Sequence, residues 1–84
     1  MHYFYILKCR DKSLYSGVAK DLEKREALHN SGKGSKYVRA HGGGEIVYSE
    51  KFKTIGKALK REAAVKKFSR QEKLDLVKLA KSKA

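Results

Sequence analysis

The chain of 84 residues contains no proline and no tryptophan, and its one cysteine is Cys9. A single cysteine excludes an internal disulfide and any zinc site built from several thiolates, and it suits a reducing compartment. No apolar run approaches the roughly 18 residues that a membrane-spanning helix needs. The N-terminus also lacks the basic start and long apolar stretch of a signal peptide. We therefore expect a cytoplasmic protein that makes no membrane contact.

Acidic residues are also scarce. Nine Asp and Glu stand against 21 Lys and Arg, which gives a net charge of +12. The excess is concentrated in residues 51–84, where twelve basic residues face three acidic ones, whereas residues 1–50 hold nine basic and six acidic. An uneven positive charge of this size is typical of proteins that bind a phosphate-rich partner. DNA or RNA is the expected partner, and a lysine surface that only aids solubility is the alternative.

The length and the apolar fraction of 40% predict one domain over residues 1–84. An aromatic and β-branched run at 2–8 predicts a strand, and a polar turn at 10–13 separates it from a second strand at 14–18. Two strands this close in sequence form an antiparallel hairpin. Because the first strand is apolar on both faces, we expect helices on each side of the sheet.

Capping residues and apolar patterns predict four further elements. They are a helix, a strand and two helices over about 21–30, 45–52, 54–67 and 69–82. A glycine-rich and basic loop at 32–44 is long for so small a domain. The resulting order, β-β-α-β-α-α, predicts an α+β fold in which helices flank a small three-stranded antiparallel sheet.

Polar side chains interrupt the predicted buried face of the first helix. At about 100° per residue, Arg25, Glu26 and His29 share one face with Leu22. Arg25 and His29 lie one turn apart on the side expected to meet the sheet. They either contribute to a functional site or form a pair at the rim of the sheet, with the arginine stem lying over its edge.

The second long helix shows a similar interruption. Ile55, Ala58, Leu59 and Val65 form its predicted apolar stripe, and Glu62 falls in the middle of that stripe. A buried carboxylate is unfavourable unless it is paired or binds a cation. Glu62 is therefore expected either to hold a metal ion or to pair with the residue four positions on, Lys66.

Two tyrosine triplets give these residues a context. Tyr3-Phe4-Tyr5 is followed ten residues on by Tyr15-Ser16-Gly17, and this pair resembles the paired signature of the GIY-YIG nuclease domain. The resemblance covers residue 2 to about residue 80. It extends to the small stand-alone bacterial members and to the N-terminal nuclease domain of UvrC. This sequence departs from the family pattern at Ser16, where isoleucine or valine is usual.

The resemblance continues at three single positions. The family places an arginine ten residues after the tyrosine of the second triplet, which matches Arg25. Many members have a histidine or tyrosine one turn later, which matches His29. A metal-binding glutamate within Ala-Leu-x-x-Glu matches Glu62. The retained glycine of the second triplet, Gly17, fits a close approach of the backbone.

The resemblance implies an activity and assigns roles to these residues. Glu62 would hold a single Mg²⁺ or Mn²⁺ ion, and Arg25 would grip a phosphate oxygen. Tyr5 or Tyr15 would act as the general base or orient it, with Tyr5 favoured, and a phenol, whose pKa is near 10, would need its anion stabilised for this role. His29 would contact the phosphate or relay a proton.

We therefore expect a monomeric, metal-dependent endonuclease that cuts DNA or RNA and uses no small-molecule cofactor. A nucleic-acid-binding module that keeps the fold without the chemistry is the alternative. Single DNA-binding modules bury only about 600–1,000 Å², so strong sequence specificity is not expected. Phosphate contacts are expected from the lysines and arginines near the glycine-rich loop and the second long helix, namely Lys33, Lys36, Arg39, Lys60, Arg61, Lys66 and Lys67.

Overall fold

The computed structural model describes residues 1–82, with side chains described through Ala80, so the last two residues of the expected 1–84 domain lie outside the described residues. No helix within these residues is long and apolar enough to cross a membrane. The elements confirm the predicted α+β order and add one short helix. They are β1 (His2–Cys9), β2 (Leu14–Ala19), α1 (Leu22–Asn30), α2 (Lys36–Ala40), β3 (Gly44–Phe52), α3 (Ile55–Lys66) and α4 (Arg70–Ser82).

The sheet has the order β2-β1-β3, and both pairings are antiparallel. The first strand is therefore central, and both of its faces are covered, as predicted. Tyr5 and Leu7 pack with residues of α1 and α2 on one face, which we call the α1 face. Phe4 and Ile6 pack with residues of α3 and α4 on the other, the α3 face. β2 forms one edge of the sheet.

The predicted helix starts are confirmed at the level of individual hydrogen bonds. Asp21 accepts from the backbone N–H three residues on at 3.1 Å, and Thr54 does the same at 3.3 Å. Ser69 and Glu72 form the expected capping box, in which each side chain accepts from the other's backbone N–H, at 3.0 and 3.2 Å. These caps satisfy N–H groups that have no partner within the helix.

The predicted loop at 32–44 contains α2, a five-residue helix that the sequence pattern did not indicate. Val38 anchors this helix because its side chain is completely buried on the α1 face. The far end of the segment is fixed by Asn30, whose side chain donates to the Gly44 carbonyl at 2.8 Å and accepts from the Gly44 N–H at 2.9 Å. The segment that follows α1 is thus held against the sheet at both ends.

The buried face of α3 is rotated from the one the sequence predicted. Ile55 and Leu59 are 52% and 46% exposed, so two members of the expected apolar stripe lie at the surface. Ala58 and Val65 are fully buried, and Glu62 lies between them on the helix, partly buried. The prediction was therefore wrong to place Ile55 and Leu59 on the buried face, but right that the carboxylate of Glu62 lies within it.

Ser16 is the one buried side chain in the described residues whose polar atom has no hydrogen-bond partner. It lies opposite Ile6 in the β1–β2 ladder, on the α3 face. An unpaired buried hydroxyl is destabilising, so we expect Ser16→Ala to raise the free energy of unfolding by about 1 kcal/mol and the Tm by about 4–8 °C. Urea denaturation measures this change.

A matched control is Ser13→Ala, because the exposed Ser13 hydroxyl donates to Asp11 at 2.6 Å. Its removal is expected to leave the free energy of unfolding unchanged or slightly lower. If Ser16→Ala unfolds at lower urea than the wild type, the Ser16 hydroxyl has a partner in solution and the prediction is wrong.

Candidate active site

The first component of the candidate site is the side chain of Tyr5 on β1. Tyr5 pairs with Gly17 across the β1–β2 ladder. A Cβ atom added at Gly17 would lie 2.5 Å from Tyr5 Oη and 2.7 Å from Cζ. Only a glycine leaves space for the phenol ring at this point. The ring therefore extends across β2, and it brings its hydroxyl to the edge of the sheet.

His29 on α1 meets that hydroxyl. The Tyr5 oxygen lies 2.9 Å from His29 Nε2, and the backbone N–H of Ser35 donates to His29 Nδ1 at 3.4 Å. Because Nδ1 accepts, the neutral imidazole carries its proton on Nε2 and donates it to the Tyr5 oxygen. A Cβ at Gly34 would lie 2.4 Å from Nδ1, so this glycine allows the loop to approach the ring. The sequence did not reveal the roles of Gly34 and Ser35.

Burial determines the charge of His29. The side chain is 3% exposed, and desolvation, followed by the nearby charge of Arg25, lowers the pKa of His29 below its usual 6.5. The ring is therefore neutral near pH 7. Because it is neutral, enclosed and bonded through both nitrogens, His29 is placed to orient Tyr5 rather than to contact a phosphate directly.

This lowered pKa predicts a stability change with pH. The unfolded chain binds a proton at His29 near pH 6.5, whereas the folded chain binds it only at lower pH, so the free energy of unfolding should fall as pH drops below 6.5. We expect urea midpoints to be lower at pH 5.5 than at pH 7.5. His29→Asn should reduce this difference and His2→Asn should retain it. An equal difference in His29→Asn and the wild type would contradict the assignment.

Tyr15 connects this buried pair to the surface. Its ring lies 5.4 Å from the His29 ring in an edge-on arrangement and 6.4 Å from the Tyr5 ring. On its other side it stacks with Tyr37 of α2 at 5.7 Å, and Tyr37 contacts His41 at 4.3 Å. Tyr15 is partly exposed and Tyr37 is 42% exposed. The rings thus form a continuous series from the core to the surface, and the sequence did not place Tyr37 in it.

Arg25 and Glu62 both act on the Tyr5 hydroxyl. Burial raises the pKa of Tyr5 to about 12, and the charges of Tyr15 and Glu62 contribute in the same direction. The positive charge of the Arg25 guanidinium opposes this increase. Arg25 belongs to α1 and Glu62 to α3, on opposite faces of the sheet. Opposite charges on the two helices therefore influence the pKa of the same hydroxyl.

Glu62 also pairs with Lys66 on the same helix, which was the alternative that the sequence predicted. Its carboxylate lies 3.8 Å from Lys66 Nζ, and the two side chains are 19% and 59% exposed. A surface pair of this spacing contributes only about 0.3–0.5 kcal/mol. The Lys66 pair is therefore confirmed, and it leaves the carboxylate able to take a stronger partner.

The donor set limits which metal this site can hold. The described residues contain no group of three or more His, Cys, Asp or Glu side chains placed to share an ion. Zinc prefers four such protein ligands, or three and a water. Mg²⁺ keeps much of its water shell and is often held by one or two carboxylates together with substrate phosphates. The single, largely shielded carboxylate of Glu62 fits that second pattern.

The cations predicted to contact phosphate fall into three groups. One group is exposed around α2, a second is exposed along α3 and at its end, and one member is engaged within the protein. Arg61 donates from Nε and Nη2 to Glu50 at 3.1 Å, and its guanidinium lies 5.9 Å from the centre of the Phe68 ring. The exposed cations are Lys33, Lys36 and Arg39 in the first group and Lys60, Lys66 and Lys67 in the second.

Comparison with known proteins identifies the family of this chain. The family model described as the GIY-YIG catalytic domain matches residues 1–75. The UPF0213 protein SSP2268 of Staphylococcus saprophyticus is 54% identical over 76 residues, which cover 90% of this chain and 93% of that protein. The UPF0213 protein SERP0126 of Staphylococcus epidermidis is 47% identical over the same length and coverage.

Two solved structures are also similar. The solution structures of the UPF0213 protein BH0048 of Bacillus halodurans and of EF2693 of E. faecalis give TM-scores of 0.59 and 0.61. Each is 42% identical to this chain, and each match covers 93% of this chain and 83% of the other. Because the family model matches most of the sequence and the relatives are more than 40% identical over most of their length, this chain belongs to the GIY-YIG family, whose domains are generally nucleases.

Proposed function

We propose that this protein is a divalent-metal-dependent endonuclease that hydrolyses phosphodiester bonds in DNA or RNA without strong sequence specificity. The observation that carries the proposal is the network around Tyr5, which contacts His29 and Tyr15 directly and responds to the charges of Arg25 and Glu62. Tyrosines, an arginine and a carboxylate at one sheet edge supply the groups that phosphoryl transfer to water requires.

Hydrolysis requires an attacking water, charge stabilisation at phosphorus and a proton for the leaving oxygen. The water oxygen forms a bond to phosphorus while the bond to the leaving oxygen breaks. Arg25 would bind a non-bridging oxygen, because its planar guanidinium presents paired donors to a phosphate. Glu62 would hold Mg²⁺ or Mn²⁺, and a bound cation of this kind neutralises charge on the phosphate and the leaving oxygen.

The structure favours Tyr15 over Tyr5 as the residue that accepts the proton from water. Tyr5 has no exposed surface, its oxygen already accepts from His29, and burial raises its pKa to about 12. Tyr15 is partly exposed and its ring lies against both residues. In this proposal Tyr5 and His29 position Tyr15, the phenolate form of Tyr15 takes the proton from the reacting water, and solvent water supplies the proton that the leaving oxygen takes.

Two phenylalanine substitutions distinguish these roles. Tyr15→Phe is expected to reduce the cutting rate by about 100- to 10,000-fold, the contribution of a general base, with little change in stability. Tyr5→Phe leaves His29 Nε2 without its partner and should lower the free energy of unfolding by about 1–3 kcal/mol. Rates at saturating substrate and urea midpoints measure the two effects. Normal cutting by Tyr15→Phe would remove Tyr15 from the base role.

The test of the proposed activity is a nicking assay with supercoiled plasmid, single-stranded DNA and RNA. The wild type should cut at least one of these substrates with Mg²⁺ or Mn²⁺, and EDTA should stop the reaction. Affinity for the same substrates should fall steeply between low and moderate salt, because several phosphate contacts release counterions. Intact substrates across metals and pH would contradict the nuclease proposal.

A nucleic-acid-binding module without chemistry is the second candidate. It is favoured by the complete burial of Tyr5 and by the absence, in residues 1–82, of a multi-carboxylate cluster that could hold a metal without substrate. This candidate predicts salt-dependent binding with no metal-dependent cutting. The nicking assay and the binding curves together separate the two.

A further inference from the structure

A groove beside Arg25 has no role in the candidate site described above. It has a volume of about 300 Å³ and is lined by the end of β2 and one side of α1, namely Ala19, Lys20, Asp21, Lys24, Arg25 and Leu28. Arg25 belongs to both the groove and the network around Tyr5. The groove therefore adjoins the candidate active site directly.

The charges in the groove favour an anion. Lys20 and Lys24 are exposed, and neither makes an ion pair with a carboxylate within the described residues. The one carboxylate in the lining, Asp21, accepts the backbone N–H of Lys24 as the cap of α1. With Arg25, three cations thus face a single carboxylate that is already hydrogen-bonded.

The shape and the apolar wall suit one nucleotide. Leu28 is 41% exposed and supplies apolar surface on which a sugar or base can lie. Lys20 directly precedes Asp21, which lies one turn of helix, a rise of about 6 Å, before Arg25, and this rise is comparable to the spacing of successive phosphates in a strand. A strand gripped by Arg25 would therefore place its neighbouring phosphate near Lys20, with Lys24 also in the lining of the groove.

The excess of positive charge in the groove does not extend into the neighbouring depression. The next depression shares Lys20 and Asp21 but adds Glu23, together with Tyr3 and Leu22, so carboxylates outnumber cations there. A phosphate is less favoured in that depression than in the groove beside Arg25. The charge pattern therefore marks a site for a single phosphate rather than a long track.

We propose that Lys20 and Lys24 form a subsite for the phosphate next to the one that is cut, with Leu28 against the attached nucleotide. The subsite reads no base edges and so contributes affinity and register without sequence preference. This inference rests on the proposed nuclease function, because that function places the cut phosphate at Arg25. It adds two lysines that charge and spacing in the sequence did not single out.

The test measures binding of a fluorescent single-stranded oligonucleotide by anisotropy at several salt concentrations without metal. Lys20→Gln/Lys24→Gln should weaken binding about tenfold at low salt and reduce the slope of log affinity against log salt by about 1. The matched control is Lys8→Gln/Lys73→Gln. It removes the same charge from Lys8, at the far end of β1, and from Lys73 on α4, across the sheet from α1. It should retain the wild-type slope.

Each outcome decides the inference. Equal losses in the two double variants would overturn it, because net charge alone would then explain binding. A wild type that binds no oligonucleotide at low salt would overturn it as well. A wild type that binds but never cuts would defeat the nuclease proposal alone, because the comparison of the two double variants depends only on binding. Circular dichroism melts of both variants check that the substitutions leave the fold intact.

Discussion

Glu62→Gln is expected to reduce metal-dependent cutting by about 100- to 1,000-fold, the effect of removing a group that stabilises charge in the transition state. The amide keeps the size of the side chain and removes its charge, so it binds a hard cation poorly. The measurement is the initial nicking rate at several Mg²⁺ concentrations. Oligonucleotide affinity without metal should be retained, because the substitution removes no cation.

The structure provides controls for this experiment. The substitution removes the pair with Lys66, and such a pair is worth only about 0.3–0.5 kcal/mol, so the urea midpoint should hardly move. Glu45→Gln changes an exposed carboxylate at the start of β3 in the same way and should leave cutting unchanged. Equal cutting by Glu62→Gln and the wild type would remove Glu62 from the metal site.

Gly17→Ala is the second substitution for which we expect a large effect. The added methyl group would lie 2.5 Å from Tyr5 Oη, so the phenol ring must move away from β2. Tyr5 would then lose its 2.9 Å contact with His29, which orients the ring series. Overpacking of this kind lowers the free energy of unfolding by about 1–3 kcal/mol. Cutting should fall with it, because the hydroxyl network is displaced.

Gly56→Ala is the matched control, because it is the same substitution at a glycine on α3. A Cβ atom there meets nothing within 4 Å, and alanine favours a helix by up to about 1 kcal/mol. It should therefore unfold at slightly higher urea than the wild type and cut normally. If Gly17→Ala behaves like Gly56→Ala, the close approach of Tyr5 to β2 does not matter and the positioning role of Tyr5 is wrong.

The sequence predicted those parts of the fold that local interactions determine. Asp21, Thr54 and the Ser69–Glu72 pair cap their helices through hydrogen bonds that span only three residues. Apolar residues on both faces of β1 predicted helices on each side of the sheet, and both faces are covered by helices. The spacing of Arg25 and His29 likewise predicted that they share the inner face of α1, and His29 is buried there.

The missed features depend on contacts between distant segments. α2 has only five residues, too few for a helical period to show, and it is stabilised by Val38 in the core. Ile55 and Leu59 look like a buried stripe in sequence, but α3 meets the sheet through Ala58 and Val65. Which apolar residues of a short amphipathic helix are covered depends on where the helix docks.

The electrostatic contacts show the same limit. From charge and position in the sequence, Arg61 and the lysines of α3 were equally predicted to contact phosphate. The structure pairs the Arg61 guanidinium with Glu50 at 3.1 Å, a residue eleven positions earlier on β3. It also places Lys20 and Lys24 beside Arg25, where the fold of β2 onto α1 creates a groove. Which cations remain available to a partner therefore follows from tertiary contacts.

The most direct test of the central claim is Mn²⁺ line broadening in the ¹H–¹⁵N spectrum of the protein. With a non-hydrolysable oligonucleotide analogue present to supply the substrate phosphates, we expect substoichiometric Mn²⁺ to broaden the amide signals of Tyr5, Gly17, Arg25 and Glu62 first, because the proposal places one cation site among these residues. The same titration of Glu62→Gln should lose this selectivity. Broadening that begins elsewhere, such as at the exposed carboxylate of Asp75 on α4, would show that the sheet edge is not where the cation binds.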